Sequence, residues 1–454
     1  GISQRGDASP GAWDHDAVRF AGSGLNLSSS AVGVKESADE VVWLAMTPDP
    51  EPSSLTPVDQ TERINSLDVL RGFALLGILV MNIQAFSMVG AAYMNPTVYG
   101  DLTGANYWVW YVSHLLFDQK FMTLFSALFG AGIVLMWRRA EAKGRPATGF
   151  HYRRSLWLMV LGFVHAYGLW ANDILFVYSL CGLWVFWLKR RSPKALIIIG
   201  AIVLMVPLIL MMTAGLSAPW WSQEDVEQMM VGWQPTPEQV AEEVANYQGG
   251  WSDQRRSRVK AAVGMHTETF IFFIFWRVSG LMIIGMALFK IGFFSAELSD
   301  RIYKRCIAIS FLGLPILVYS VYQNFASAWS MERFFFSGVY NYFASLLISL
   351  GYASAIMLIC KHGLLTKVTS ALANVGRMAL TNYLLHTIIA TTIFYGHGLG
   401  YFGQVSRVGQ ILIVSGIWAF QIPFSAWWLK RFQFGPFEWL WRSLSYMKQQ
   451  PLMR

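Results

Sequence analysis

The sequence predicts an all-α fold, a polytopic transmembrane helical bundle of about ten spans with both termini in the cytoplasm. Three observations lead to this class. Of the 454 residues, 54% are hydrophobic and the mean hydropathy is positive, which is too apolar for a soluble domain. Apolar runs long enough to span a bilayer recur along the chain, and short clusters of Lys and Arg separate these runs.

Composition argues against several other classes of protein. The net charge of +8 is distributed in those short basic clusters, so we assign it to membrane topology and expect no nucleic-acid partner. The three cysteines, Cys181, Cys306 and Cys360, occur singly in or beside apolar runs, without a CxxC pair or a Cys/His cluster. We therefore expect neither a disulfide framework nor a metal site.

The chain divides into five predicted segments, and two of them are transmembrane halves of about five spans each. The segments are a disordered tail at 1–62, an N-terminal transmembrane half at 63–216, an extracytoplasmic loop at 217–266, a C-terminal transmembrane half at 267–445 and a basic tail at 446–454. The predicted spans are 66–89, 108–136, 155–171, 174–188, 195–216, 267–289, 306–326, 336–360, 379–396 and 409–429.

Orientation is predicted from the connections between spans. The connections after the second and fourth spans are rich in Lys and Arg, whereas the stretches 90–107 and 172–173 carry neither residue. By the positive-inside rule the basic connections face the cytoplasm, and the lipid bilayer is the first expected partner of the chain.

The loop at 217–266 is predicted to contain a short amphipathic helix. Thr236, Pro237 and Gln239 have the order of a capping box with proline at the first helical position, and Gly249-Gly250 follows as a stop signal. Two placements stay open for this helix. It either covers the external mouth of the bundle or packs against its rim.

The first span carries ionisable residues at its entrance. Asp68 and Arg71 stand three residues apart and share a helix face, so they can neutralise each other at the membrane boundary. Asn82 falls on roughly the same face, two heptads further on. An interfacial cap and anchor is the alternative interpretation of the Asp68–Arg71 pair.

Further polar residues are predicted at two depths inside the bundle. Those in the cytoplasmic half are Asp68, Arg71, Arg377, Asn382 and His386, and those near the midplane are Asp118, Lys120, His165 and Arg277. Midplane charges cost at least roughly 2.5–3.5 kcal/mol each on insertion scales, so they are expected to converge away from lipid. One hypothesis is a polar cavity at mid-depth that opens to the cytoplasm past Arg71 and Arg377. The other is a buried ionic network that fixes helix register.

Histidines beside carboxylates are the candidate catalytic groups. His165 precedes Asp173 by eight residues, and the two could share one helix face, with the carboxylate fixing the tautomer of an imidazole base. His114 precedes Asp118 by one helical turn and is a secondary candidate. A hydrogen-bonded structural histidine is the alternative in both cases.

The chain also resembles the YeiB-like family of bacterial inner-membrane proteins of unknown function. In the first span the resemblance rests on Arg63, Leu67-Asp68, Leu70-Arg71-Gly72, Gly77 and Asn82. Further on it rests on FMTLFSALFGAG at 121–132, WRVSGLMIIGMALFKIGFF at 276–294, GRMALTNYLLHT at 376–387 and FGPFEWLWRSLS at 434–445. Through its first helix, that family is similar to transmembrane acyltransferases of the heparan-glucosaminide acetyltransferase and type three acyltransferase kind.

This resemblance implies a location and an activity. The location is the bacterial inner membrane, and the activity is transfer of an acyl group from cytoplasmic acetyl-CoA or another acyl-CoA to a small-molecule, glycan or lipid acceptor at or across the membrane. The implied catalytic residues are His165, Asp173 and Asp118, and the implied donor-binding residues are Asp68, Arg71, Arg377 and Asn382. Other polar residues expected near the midplane are Asn82, Lys120, Arg277, His114 and His386.

Two other functions stay open at this point. A transporter or flippase would use the same midplane charges as a coupling site, and a membrane scaffold would use them only to fix its helices. The two halves show no evident repeated motif, whereas many secondary transporters are built from internal repeats. A homodimer also stays open.

Overall fold

The structure is a computed structural model that describes residues 64–454, so the predicted tail at 1–62 lies outside the described residues. Those residues form eighteen α-helices and no strand, which confirms the all-α prediction. The helices are α1 (Asn65–Ser87), α2 (Ala91–Met94), α3 (Gly104–Leu116), α4 (Lys120–Ala142), α5 (Ala147–Gly168), α6 (Leu175–Val185), α7 (Pro193–Ser217), α8 (Gln223–Trp233), α9 (Pro237–Gln248), α10 (Trp251–Gly264), α11 (Phe275–Lys290), α12 (Asp300–Ser310), α13 (Gly313–Ala326), α14 (Met331–Lys361), α15 (Thr366–Arg377), α16 (Ala379–Phe394), α17 (Arg407–Arg431) and α18 (Pro436–Tyr446).

Seven helical stretches of the described chain are long and apolar enough to cross a membrane. They are Asn65–Ser87, Gly104–Ala142, Pro193–Trp220, Trp251–Lys290, Asp300–Ala326, Arg333–Lys361 and Arg407–Arg431. Helix α16 is apolar but shorter, and α5 and α6 pack against each other as a hairpin. The protein is therefore an integral membrane protein that crosses the bilayer several times, while the count of ten spans stays a prediction.

One end of the bundle collects the basic connections. Lys290, at the end of α11, donates a 2.6 Å hydrogen bond to the carbonyl of Arg191 before α7, and its ammonium lies over the Trp137 ring of α4. Lys361, at the end of α14, pairs with Asp300 at the start of α12 at 2.9 Å. We call this the basic end. That it faces the cytoplasm stays a prediction.

The opposite end carries the extra helices α8, α9 and α10, where the sequence predicted one short helix. The capping box of Thr236 and Gln239 is present, because the Thr236 hydroxyl accepts from the Gln239 amide and the Gln239 side chain accepts from the Thr236 amide. The carbonyl of Tyr247 in α9 accepts a hydrogen bond from Gly396, beyond the end of α16. The predicted helix therefore packs on the connection between α16 and α17.

Helix α1 lies at the centre of the bundle and packs against α4, α14, α15, α16 and α17. Two glycines make its crossing with α15 possible. A Cβ on Gly72 would lie 1.9 Å from the Leu372 carbonyl oxygen, and one on Gly376 would lie 2.0 Å from the Asp68 carbonyl oxygen. Backbones this close exclude any larger residue at either position. The entrance of α1 is thereby held beside Arg377.

The second predicted span is broken where one continuous helix was expected. Helix α3 ends at Leu116, α4 begins at Lys120, and Gln119 between them has a φ of 62°. The break leaves backbone carbonyls at the end of α3 without helical partners, and side chains bind them instead. Lys120 Nζ donates to the His114 carbonyl at 2.9 Å, and the Tyr352 hydroxyl donates to the Leu116 carbonyl at 3.0 Å. Non-helical backbone at membrane depth is tolerated only where protein groups satisfy it in this way.

Candidate functional site

A cavity of about 310 Å³ lies at the basic end, bounded by α1, α4, α5, α6, α15, α16 and α18. Residues in the first turn of α1 and the last turn of α4 form its rim, and residues further along the helices form its interior. The interior is aromatic and aliphatic, and its side chains include Phe125, Leu128, Phe129, Leu158, Leu175, Tyr178 and Tyr383.

The rim of the cavity is strongly basic. Six cationic side chains line it against two carboxylates, Asp68 and Glu438. The cations are Arg71, Arg139, Lys143, Arg154, Arg377 and Arg442. A concave apolar pocket whose rim carries an excess of positive charge suits a ligand with an apolar part and an anionic part.

The Asp68–Arg71 pair lies on this rim as an ion pair. Arg71 Nη1 is 2.7 Å from Asp68 Oδ1, and the two side chains are 30% and 15% exposed. Arg377 of α15 lines the same rim because Gly376 brings α15 against α1. The structure thus brings together three of the four predicted donor-binding residues.

Glu438 of α18 joins the rim of the cavity to the start of α16. Its carboxylate accepts hydrogen bonds from the amides of Leu380 at 2.6 Å and Thr381 at 3.0 Å, and from the Thr381 hydroxyl. Two of the orphan amides at the N-terminus of α16 are satisfied in this way. Burial raises the pKa of Glu438 above its ordinary value, although the hydrogen bonds from Thr381 and Leu380 oppose that shift.

His165, Asp173 and Thr387 form a buried hydrogen-bonded line, which we call the His165 cluster. His165 Nδ1 lies 2.8 Å from Asp173 Oδ1, and His165 Nε2 lies 2.8 Å from Thr387 Oγ1. All three residues are at most 2% exposed. The cluster joins the α5–α6 hairpin to α16.

The contact between His165 and Asp173 differs from the predicted one. On one continuous helix these residues would be about 12 Å apart, at 1.5 Å per residue. Helix α5 instead ends at Gly168, and the turn folds back so that Asp173 reaches His165 while its second oxygen accepts from the Phe176 amide at 2.7 Å. A Cβ on Gly162 would lie 2.2 Å from the Phe176 nitrogen, so the hairpin closes only over a glycine.

Tyr383 separates the cavity from the His165 cluster. Its side chain lines the cavity, and its ring centroid lies 5.3 Å from that of His165. Its hydroxyl accepts a 3.3 Å hydrogen bond from the Ile174 amide. One aromatic ring therefore lies between the apolar interior of the cavity and the imidazole.

A second polar group, which we call the Asp118 cluster, consists of Asp118, Lys120 and Asn341, which are buried, and of His114 and Tyr93, which are half-buried. The Asp118 carboxylate accepts from the Asn341 amide at 2.6 Å and the Tyr93 hydroxyl at 2.9 Å, and it lies 3.4 Å from His114 Nδ1. Lys120 Nζ donates to Asn341 Oδ1 at 3.0 Å. The cluster fills the break between α3 and α4.

Arg277 lies fully buried beside the Asp118 cluster. Its Nη2 donates to Ser345 Oγ at 2.7 Å and to Thr123 Oγ1 at 3.2 Å, and its guanidinium lies 4.2 Å from the centroid of the Tyr342 ring. None of Asp118, Lys120, His165 and Arg277 lines the cavity. The predicted midplane residues therefore form two packed clusters instead of the walls of one polar cavity.

Three other predicted residues lie away from the cavity. Asn382 donates to Ser425 Oγ at 2.9 Å, and His386 Nε2 lies 2.7 Å from Gln421 Oε1, so both face α17. Asn82 is half-buried in α1 and is not among the residues that line the cavity. Asn382 is the one predicted donor-binding residue that the structure leaves outside the rim.

Sequence reasoning did not single out Thr387, Tyr383 or Asn341. Thr387 is the last residue of the stretch 376–387, on which the family resemblance rests, and Tyr383 lies within it. Their position in this stretch is the signal that could have found them. Asn341 carried one weaker signal, an amide inside an apolar helix. In residues 64–454, no group of three or more His, Cys, Asp or Glu side chains could hold a metal ion.

Comparisons with known proteins identify a family model and several relatives to which the chain is similar. A family model described as "Protein of unknown function (DUF418)" matches residues 288–448. The chain is 34% identical over 391 residues to the uncharacterised protein YeiB of Escherichia coli K12, a match that covers 85% of this chain and 96% of that relative. It is 30% identical over 420 residues to the uncharacterised protein YxaH of Bacillus subtilis 168, with 88% and 99% covered.

A third relative extends the same pattern. The chain is 25% identical over 399 residues to an uncharacterised 39.9 kDa protein from the amylase 3′ region of Bacillus acidopullulyticus, with 88% of this chain and 98% of that relative covered. The family-model match contains Arg377, Tyr383, Thr387 and Glu438. All three relatives are bacterial, and each matches over nearly its whole length.

Proposed function

The chain belongs to the YeiB-like family of membrane proteins, and on that premise we propose that it is a transmembrane acyltransferase of the bacterial inner membrane. It takes an acyl group from a cytoplasmic acyl-CoA and passes it to an acceptor at or across the membrane. The observation that carries this proposal is the cavity at the basic end, which combines an anion-attracting rim with an apolar interior next to a histidine–carboxylate pair.

The two parts of the cavity match the two parts of an acyl-CoA. Coenzyme A carries phosphates, which arginine binds through bidentate charge-assisted hydrogen bonds, and the rim carries five arginines and one lysine. The acyl chain is apolar, as the interior is. A volume of about 310 Å³ is at the lower limit for a ligand pocket, so only the acyl end enters and the nucleotide stays at the rim.

His165 is the proposed base. A histidine whose Nδ1 is bonded to a buried carboxylate is held in one tautomer, and its Nε2 is then available to take a proton. His165 lies one aromatic ring from the cavity interior, and the end of α5 that precedes the Asp173 turn accepts a hydrogen bond from Arg258 of α10, at the opposite end. A donor from the basic end and an acceptor from the opposite end can therefore approach this pair from different sides.

Transport is the second candidate, and the broken helix favours it. Discontinuous helices with buried charges at mid-depth form the ion and substrate sites of many secondary transporters, and the α3–α4 break with Asp118 and Lys120 has these features. A transporter would bind its solute at the Asp118 cluster. An acyltransferase would bind its donor at the basic rim, so the two proposals predict different ligand-binding sites.

The deciding experiment is thermal unfolding of the detergent-purified protein with acetyl-CoA, octanoyl-CoA or coenzyme A. We expect acyl-CoA to raise the unfolding midpoint, because a ligand that binds only the folded state stabilises it by mass action. The shift should be lost in Arg71→Ala and kept in His165→Ala. Arg305→Ala is the matched control, since Arg305 is an exposed arginine of α12 outside the cavity.

Two results would contradict the proposal. The first is no shift with any acyl-CoA in the wild-type protein, which would favour transport. The second is an equal loss of the shift in Arg71→Ala and Arg305→Ala, which would mean that acyl-CoA binds by general charge attraction and not at the rim.

A further inference from the structure

We propose that Thr387 is the nucleophile that first receives the acyl group, an inference that rests on the proposed acyltransferase function. Thr387 lies in the middle of α16, is fully buried, and has its hydroxyl 2.8 Å from His165 Nε2. A hydroxyl, an imidazole and a carboxylate in line are the arrangement by which proteins turn an alcohol into a nucleophile.

The direction of the two hydrogen bonds follows from Asp173. An ionised carboxylate only accepts, so the proton of His165 lies on Nδ1 and is donated to Asp173. In the neutral imidazole that a base requires, His165 Nε2 then carries a lone pair and accepts. The Thr387 hydroxyl is therefore the donor, and its proton already points to the base that would remove it.

Neighbouring threonines on the same helix show that this hydrogen bond is specific. The hydroxyls of Thr391 and Thr392 donate to the carbonyls of Thr387 and Ile388, four residues earlier, at 2.8 and 2.7 Å. Threonine in a membrane helix normally bonds back to its own helix in this way. Thr387 instead directs its hydroxyl to a side chain 222 residues earlier in the chain.

The same contacts argue against His165 as the first acyl carrier. Both of its ring nitrogens are bonded, one to Asp173 and one to Thr387. Acylation of either nitrogen would break one of these bonds inside a buried site. Acylation of Thr387 preserves the bond to Asp173, because only the proton on the Thr387 side moves.

The proposed step is balanced. Thr387 Oγ1 attacks the thioester carbonyl while His165 Nε2 takes the hydroxyl proton, and Asp173 stabilises the imidazolium. The tetrahedral intermediate then loses the coenzyme A thiolate, which takes the proton from Nε2 and leaves as the free thiol. An acceptor hydroxyl or amine subsequently attacks the threonyl ester by the same proton route and regenerates Thr387.

Access to Thr387 requires the Tyr383 ring to move. Tyr383 is 3% exposed and borders both the cavity and His165, and its hydroxyl contacts the Ile174 amide at 3.3 Å and the Asp173 carboxylate. An acyl chain that fills the interior can displace this side chain by replacing the apolar contacts of its ring. The cavity and the His165 cluster then become continuous.

The test is mass spectrometry of the purified protein incubated with octanoyl-CoA, without acceptor, and quenched in acid. We expect one octanoyl addition, located on the peptide that contains Thr387 and released by hydroxylamine. Thr387→Val, which keeps the side-chain shape, should reduce the addition by about 100-fold or more. Thr387→Ser should retain it, and Thr391→Val is the matched control that should also retain it.

Each outcome has one interpretation. If octanoyl-CoA raises the unfolding midpoint but the wild type gains no acyl group, or if Thr387→Val still gains it, this inference is wrong and the proposed function stands. If the midpoint does not rise and no acyl group is gained, the proposed function fails as well. Unfolding midpoints of both valine variants within a few degrees of each other exclude misfolding as the cause of a loss.

Discussion

The His165 cluster and the Asp118 cluster are both buried and polar, and they differ in what their hydrogen bonds satisfy. In the His165 cluster the carboxylate, imidazole and hydroxyl form a line that orients one proton. In the Asp118 cluster the groups bind one another and the backbone ends of the α3–α4 break. Only the first cluster lies against the cavity. The position of a buried charge relative to a cavity and to broken backbone is therefore what distinguishes the cluster that we propose to be reactive from the one that we expect to be structural.

The largest effect is expected from Asp118→Asn. Asp118 is the one carboxylate described beside the buried cations Lys120 and Arg277, which hydrogen-bond to other groups, and leaving a buried charge uncompensated costs about 3–5 kcal/mol. We expect a large fall in the unfolding midpoint of the purified protein. A variant as stable as the wild type would mean that the Asp118 cluster does not hold the broken helix together.

A smaller loss of stability is expected from the same substitution in the His165 cluster. Asp173→Asn keeps the side-chain shape and exchanges a charged hydrogen bond for a neutral one, which costs about 1–3 kcal/mol. Donor binding at the rim should persist, but acylation should fall, because an amide can hold His165 in the wrong tautomer. The measurements are the unfolding midpoint, its shift with octanoyl-CoA, and the acyl addition. Equal destabilisation by Asp173→Asn and Asp118→Asn, with acylation intact, would remove the distinction between the clusters.

The smallest effect is expected at the rim, where Glu438 caps α16. Burial raises the pKa of Glu438, so the folded state favours the protonated side chain. The protonated side chain contributes fully to the free energy of unfolding below the ordinary carboxyl pKa, and this contribution is lost as pH rises through the raised value. Glu438→Gln keeps an acceptor for the Leu380 and Thr381 amides and does not titrate. The stability advantage of wild type over Glu438→Gln should therefore shrink as pH rises from the ordinary carboxyl pKa of about 4.3 through the raised value.

The check on this prediction is a series of unfolding midpoints across that pH range. Glu141→Gln is the control, since the Glu141 side chain is 54% exposed at the end of α4. An advantage of wild type over Glu438→Gln that grows with pH would show that the ionised form is preferred at the start of α16, as helix-dipole attraction alone would favour.

The features that were predicted correctly from the sequence depend on the spacing of residues only a few positions apart. The Asp68–Arg71 pair is present because residues three apart on a helix always share a face, and the Thr236 capping box because its partners are three residues apart. The pairing of His165 with Asp173 was expected but its geometry was not. A turn after Gly168 makes the contact, whereas the predicted span continued to residue 171, because hydropathy does not fix the end of a helix to within one turn.

The sequence by itself determined that this protein is an all-helical, multi-pass membrane protein with ionisable groups inside its bundle, since composition and short-range periodicity carry that information. Only the tertiary structure decided which of those groups meet. Thr387 reaches His165 across 222 residues and Asn341 reaches Asp118 across 223, and such partners depend on how helices pack. Many arrangements of the same helices bury the same apolar area, so local pattern cannot select among them. Close backbone contacts at Gly72, Gly376 and Gly162 favour this arrangement of the helices, because a side chain at any of the three positions would clash with the neighbouring backbone.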